Sequence, residues 1–65
     1  MPQQYVEETL PESRRKEIFL ALVETQDQEV GVARSRQLVA TRFSVTEDLI
    51  RRIEQEGIDH EWPPL

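Results

Sequence analysis

Apolar residues recur at helical spacing in three stretches of the chain. Ile18, Phe19, Leu22 and Val23 follow the i, i+3, i+4 pattern of one helix stripe. Val39, Ala40 and Phe43 form a second stripe with Leu38 at its flank, and Leu49, Ile50 and Ile53 form a third. These periods predict helices near residues 11 to 25, 32 to 42 and 47 to 56. No segment alternates at the period of two that a half-buried strand requires. The fold class expected is all-α, a small three-helix bundle with Ile18, Phe19, Leu22, Val39, Phe43, Ile50 and Ile53 in its core.

Boundary residues support this division. Thr9 and Glu12 have the spacing of a capping box, with Pro11 in the first turn, where its missing N–H costs nothing. The polar run 26–29 interrupts the first stripe, and Gly31 follows as a permissive turn residue. Thr46 is placed to cap the third helix, and Glu47 and Asp48 favour the positive end of its dipole. Gly57 occupies the place where a left-handed C-terminal residue is wanted, with Ile58 set to meet Ile53 in a Schellman ending. Residues 1–8, anchored only by Tyr5 and Val6, read as a loose N-terminal arm. Residues 9–58 read as the domain. Pro63 and Pro64 make 59–65 an extended tail, from which Trp62 is expected to fold back over the bundle.

The second and third stripes are joined by Ser44-Val45-Thr46, short enough for the sharp turn of a helix-turn-helix, and Ala40 is small enough to let the following helix approach. Such a motif usually lays its second helix in the major groove of DNA.

Charge alters the picture. The chain carries 8 basic and 13 acidic residues for a net charge of −5, which opposes general nucleic-acid binding. Yet five of its basic residues, Arg34, Arg36, Arg42, Arg51 and Arg52, fall between Val32 and Ile53, where Glu47 and Asp48 are the only acids. The motif is therefore locally basic and the rest strongly acidic.

With 65 residues the chain is a single small domain, burying only about 60% of its unfolded surface. The absence of cysteine removes disulfides and thiolate metal sites, leaving packed helices to stabilise it. No apolar run approaches the roughly 20 residues that cross a bilayer. The N-terminus lacks the basic and apolar regions of a signal peptide. A cytoplasmic location is expected.

Catalytic chemistry is not indicated. His60 is the single histidine, and a metal site would have to be assembled from Asp59, His60 and Glu61 in the tail; no metal and no cofactor is expected. Ser13, Ser35 and Ser44 lack a neighbouring base. Gly31 and Gly57 cannot make a phosphate loop, and the domain has little room for a substrate pocket. The chain reads as a binder and not an enzyme.

On a helical projection of the third helix, Asp48, Arg51 and Gln55 lie opposite the apolar stripe, with Glu47 and Arg52 at the sides. Arg51 could reach a guanine edge or a phosphate, and Gln55 could pair with adenine. Arg34, Arg36 and Arg42 would contact backbone phosphates. The competing expectation is that Glu47 pairs with Arg51 and Asp48 with Arg52 at i, i+4, each pair contributing about 0.2 to 0.5 kcal/mol.

The run Arg42-Phe43-Ser44-Val45-Thr46, followed by Ile50-Arg51-Arg52-Ile53-Glu54, resembles the helix-turn-helix that recognises the −35 promoter element in sigma-70-type RNA polymerase factors, their region 4. The resemblance spans roughly residues 32 to 58. It implies that Thr46 through Gln55 read the major groove. The chain departs from that family in having Ser44 where glycine is usual and Glu47 and Asp48 where basic or neutral residues are common.

Two functional classes follow. One is a DNA-binding, transcription-regulator-like module using Arg34, Arg36, Arg42, Thr46, Arg51, Arg52 and Gln55, dimeric or set in a larger assembly because one short helix gives limited contact area. The other is a protein-interaction module on the same scaffold, docking a partner through its acidic surface, the Tyr5 arm or the Trp62-Pro63-Pro64-Leu65 tail. Arginines converging on one face would favour the first, and arginines dispersed or locked to acids the second.

Overall fold

Three helices, α1 (Glu12–Asp27), α2 (Val32–Phe43) and α3 (Glu47–His60), make up the bundle in the computed structural model, which describes residues 10–65. Each helix packs on both others. No strand occurs among the described residues. The all-α three-helix architecture expected from the apolar periods is the one observed. Thr9 and the N-terminal arm lie outside the described residues.

Helix α1 starts one residue later than the sequence pattern places it. Pro11 is the N-cap, extended at φ −61° and ψ 152°, and its carbonyl accepts from the N–H groups of Arg14 and Arg15. The helix runs past Thr25 because its polar end has helical partners: the Thr25 hydroxyl donates to the Ala21 carbonyl at 2.7 Å, and the Gln26 amide donates to Glu54 at 3.3 Å. Loss of an apolar stripe thus marks the end of the buried face and not the end of the helix.

The α2–α3 connection is as tight as the sequence suggested. Ser44 takes a left-handed conformation (φ 58°, ψ 44°), and the N–H groups of Ser44 and Val45 close on the carbonyls of Thr41 and Ala40 in a Schellman ending. Thr46 then caps α3, its hydroxyl oxygen accepting from the Leu49 N–H at 3.1 Å.

The far end of α3 differs from expectation. The helix continues through Gly57 to His60, and the Schellman ending falls four residues later, with Glu61 left-handed (φ 53°) and the Trp62 N–H bonded to the Gly57 carbonyl at 2.9 Å. Ile58 is half exposed, and Trp62 takes the place in the Schellman ending that the sequence assigned to Ile58. The reason is tertiary. Gly57 is buried against the Phe19 ring, a site with no space for a Cβ. Asp59 and His60 are consequently helical, so the extended tail is shorter than expected, and its end turns at Pro63 and Pro64.

The core comprises Ile18, Phe19, Ala21, Leu22, Val39, Ala40, Leu49, Ile50, Ile53 and Trp62. Trp62 folds back as anticipated and meets the Phe19 ring edge to face, centroids 6.1 Å apart. Phe43, expected inside, is only partly buried at the core's edge. As the last residue of α2 it stands where the chain turns away, and the guanidinium groups of Arg14 and Arg42 cover its ring. Ser35 is fully buried, its hydroxyl satisfied by donation to the Val32 carbonyl at 2.7 Å.

Candidate nucleic-acid interface

The position of α3 across α1 decides which side chains remain for a partner. Glu54 and Glu56 project from opposite flanks of α3. Glu54 takes the Gln26 amide near the end of α1, while Glu56 takes Arg15 near its start. Arg15 and Gln26 stand about 16 Å apart along α1 at 1.5 Å per residue, so α3 lies crosswise over that helix. Phe19 and Gly57 mark the crossing.

Both flanks are tied by ion pairs. Arg15 donates through Nε and Nη2 to the two Glu56 oxygens, each at 2.9 Å, and through Nη1 to the Leu10 carbonyl. The hydrogen bond to Glu56 raises the Arg15 pKa further above its usual range, overcoming the desolvation that opposes the charged form. On the other flank Arg36 donates through Nε and Nη2 to Glu54 Oε1 at 3.0 and 2.8 Å. Both members are well shielded, at 28% and 18% side-chain exposure, so this pair joins α2 to α3 and holds Arg36 inward.

Of the other arginines singled out by sequence, Arg34 and Arg52 are exposed and make no ion pair among the described residues. Arg51 is exposed and paired with Asp48 at 2.9 Å through an i, i+3 contact. The i, i+4 pairs of Glu47 with Arg51 and Asp48 with Arg52 are not formed. Asp48 reaches the nearer arginine instead, and such solvated contacts contribute little. Gln55 donates to Asp59 at 3.0 Å, also at the surface. Thr46 begins α3 with its hydroxyl committed to the cap. Arg42 lies over the Phe43 ring, its guanidinium carbon 5.4 Å from the centroid.

The outward face of α3 therefore presents Glu47, Asp48, Arg51, Arg52, Gln55, Ile58 and Asp59. Arg51, Arg52 and Gln55 share it as the helical projection implied; Arg36 is spent on Glu54, and Arg34 belongs to the exposed side of α2. Sequence reasoning passed over Arg14, whose guanidinium lies 4.9 Å from the same Phe43 ring that Arg42 covers. The available signal was the basic run Arg14-Arg15-Lys16 in the first turns of α1. Its three members diverge: Arg15 to Glu56, Lys16 to Glu12 at 3.2 Å and toward the Trp62 ring, and Arg14 to Phe43.

Among the described residues no group of three or more His, Asp or Glu side chains could hold a metal ion, and no helix is long and apolar enough to cross a membrane. Compared with protein-family models, curated proteins and solved structures, the chain matches none.

Proposed function

We propose that the chain is a small helix-turn-helix module that binds duplex DNA, with α3 entering the major groove. The observation that carries this reading is the α2–turn–α3 unit: a left-handed Ser44, a Thr46 cap, and a following helix whose outer face displays Arg51, Arg52 and Gln55 beyond a fully packed inner face. The contacts now occupying Arg51 and Gln55 are local and solvated, and either side chain can exchange an aspartate for a base edge or a phosphate at small cost. The sequence resemblance to the −35-recognition region adds a promoter element as the proposed class of duplex. No catalytic role is proposed.

A salt-dependent titration tests the reading. At low salt the protein should bind duplex DNA, with affinity falling linearly on a log–log plot as salt rises. Glu47→Gln with Asp48→Gln should tighten binding to every duplex by removing charges that oppose the phosphates. Failure of both proteins to bind at low salt would remove the DNA reading.

A second reading has its own supporting observation. Arg36 and Arg51 are both engaged by acids, and the outer face of α3 carries Glu47 and Asp48 at its start and Asp59 beside Ile58 near its end, with Ile58 51% exposed. That combination of acidic and apolar surface suits a basic protein partner. In that case Glu47→Gln with Asp48→Gln would weaken the interaction, the opposite sign to the effect on DNA.

A further inference from the structure

We infer that the corner where α1 begins and α2 ends is a phosphodiester contact site built from Arg14, Phe43 and Arg42; the inference rests on the DNA reading above and extends it to the strand backbone beside the groove. The guanidinium carbons of Arg14 and Arg42 lie 4.9 and 5.4 Å from the centroid of one phenyl ring. Phe43 packs against the bundle core, so the ring is a fixed platform, and each guanidinium is drawn to it by cation–π attraction.

Charge balance at this corner is incomplete. Two cations share one ring, and among the described residues the carboxylate bonded to either is Glu17, which meets Arg14 at 2.9 Å in a pair whose members are 45% and 58% exposed. Arg42 has no ion-pair partner among the described residues. An anion at this corner would supply the counter-charge that Arg42 lacks and add to the one that Arg14 has. A phosphate suits the place best, because its oxygens match the paired N–H donors of a guanidinium fork, and stacking on the ring holds those forks before the ligand arrives.

Location supplies the second argument. Phe43 is three residues ahead of the Thr46 cap, so the corner adjoins the N-terminus of α3. Arg52 lies one turn before Glu56, on the α3 flank that faces the start of α1. A duplex receiving α3 in its groove brings a strand backbone to this side. The neighbouring bases are otherwise occupied, Arg15 by Glu56 and Lys16 by Glu12, and Arg36 is held on the opposite flank by Glu54.

Arg14→Gln with Arg42→Gln tests the site in the full chain, with unchanged thermal unfolding as the control for folding. Binding to random-sequence duplexes should weaken alike for all sequences, and the slope of log affinity against log salt should fall by about two. Glu17→Gln, which frees Arg14, should tighten the same duplexes, a gain that damaged folding cannot imitate. Duplex binding with an unchanged slope in the double variant would overturn the site and leave the DNA reading standing. Should the natural chain bind no duplex at low salt, the DNA reading falls, and tripolyphosphate decides the site alone. Movement of the Arg14 and Arg42 Nε–H and Phe43 ring resonances in the natural chain, with the Phe43 ring no longer moving in the double variant, would support an anion site; no movement would overturn it.

Discussion

Gly57 and Phe19 are in direct apposition: a Cβ on Gly57 would run into Cδ1 and Cε1 of the Phe19 ring. The ring cannot retreat, being 1% exposed and held edge to face by Trp62. Two ordinary rules then oppose each other at one residue. Helix propensity favours alanine over an interior glycine by about 1 kcal/mol. Overpacking a filled core costs about 1 to 3 kcal/mol. With so short an approach, packing wins, and Gly57→Ala should lower stability by about 2 kcal/mol in urea unfolding; a more stable variant would show that α1 and α3 are not in contact here.

The three left-handed residues of the described chain are Glu29, Ser44 and Glu61, and neither glycine is among them. An L side chain in that conformation costs roughly 1 kcal/mol that glycine avoids. Glu29→Gly, Ser44→Gly and Glu61→Gly should each raise the unfolding midpoint, offset in part by the greater freedom of glycine in the unfolded chain. A loss of stability in all three would refute the assigned backbone.

Trp62 and Phe43 exchange the ranks that the apolar pattern assigns them. Trp62 is 6% exposed and closes the core beside Phe19, so Trp62→Ala should cost about 3 to 5 kcal/mol, enough to unfold most of a small domain. Phe43→Ala removes a half-buried ring and should cost about 1 to 2 kcal/mol. Blue-shifted tryptophan fluorescence, moving to the red in Phe19→Ala, provides the check.

Ion pairs at two depths should separate in double-mutant cycles. Arg15 and Glu56 make a two-armed contact at 26% and 31% exposure, and their coupling should approach about 1 kcal/mol. Arg51 and Asp48, at 55% and 73% exposure, should couple within a few tenths of a kcal/mol. Equal couplings would mean that the α1–α3 tie is no stronger than a surface contact.

If α3 reads bases, Arg51→Ala should relax preference at one base pair by about 1 to 3 kcal/mol, while Arg36→Ala should act first on stability, since it leaves Glu54 with a partner lost across the α2–α3 interface. Competition between duplexes differing at single positions measures the first effect, and urea unfolding the second.

What the sequence determined by itself is local. A stripe of Ile18, Phe19 and Leu22 is apolar at helical spacing whatever lies opposite, and Thr46 needs only the N–H three residues ahead to act as a cap, so the three helices and the turn at Ser44 were legible from neighbours along the chain. Tertiary structure decided everything that depends on a residue far away in sequence. Gly57 could serve equally as a left-handed ending or as a place of close approach, and only the Phe19 ring, brought against it by the crossing of α1 and α3, makes it the second. The five arginines of the motif carry the same charge, yet Glu54 withdraws Arg36 from 18 residues away, while Phe43 gathers Arg42 together with Arg14 from another helix. Local hydrogen bonds select the elements; which side chains are spent in holding them together, and which remain for a partner, follows from how the elements cross.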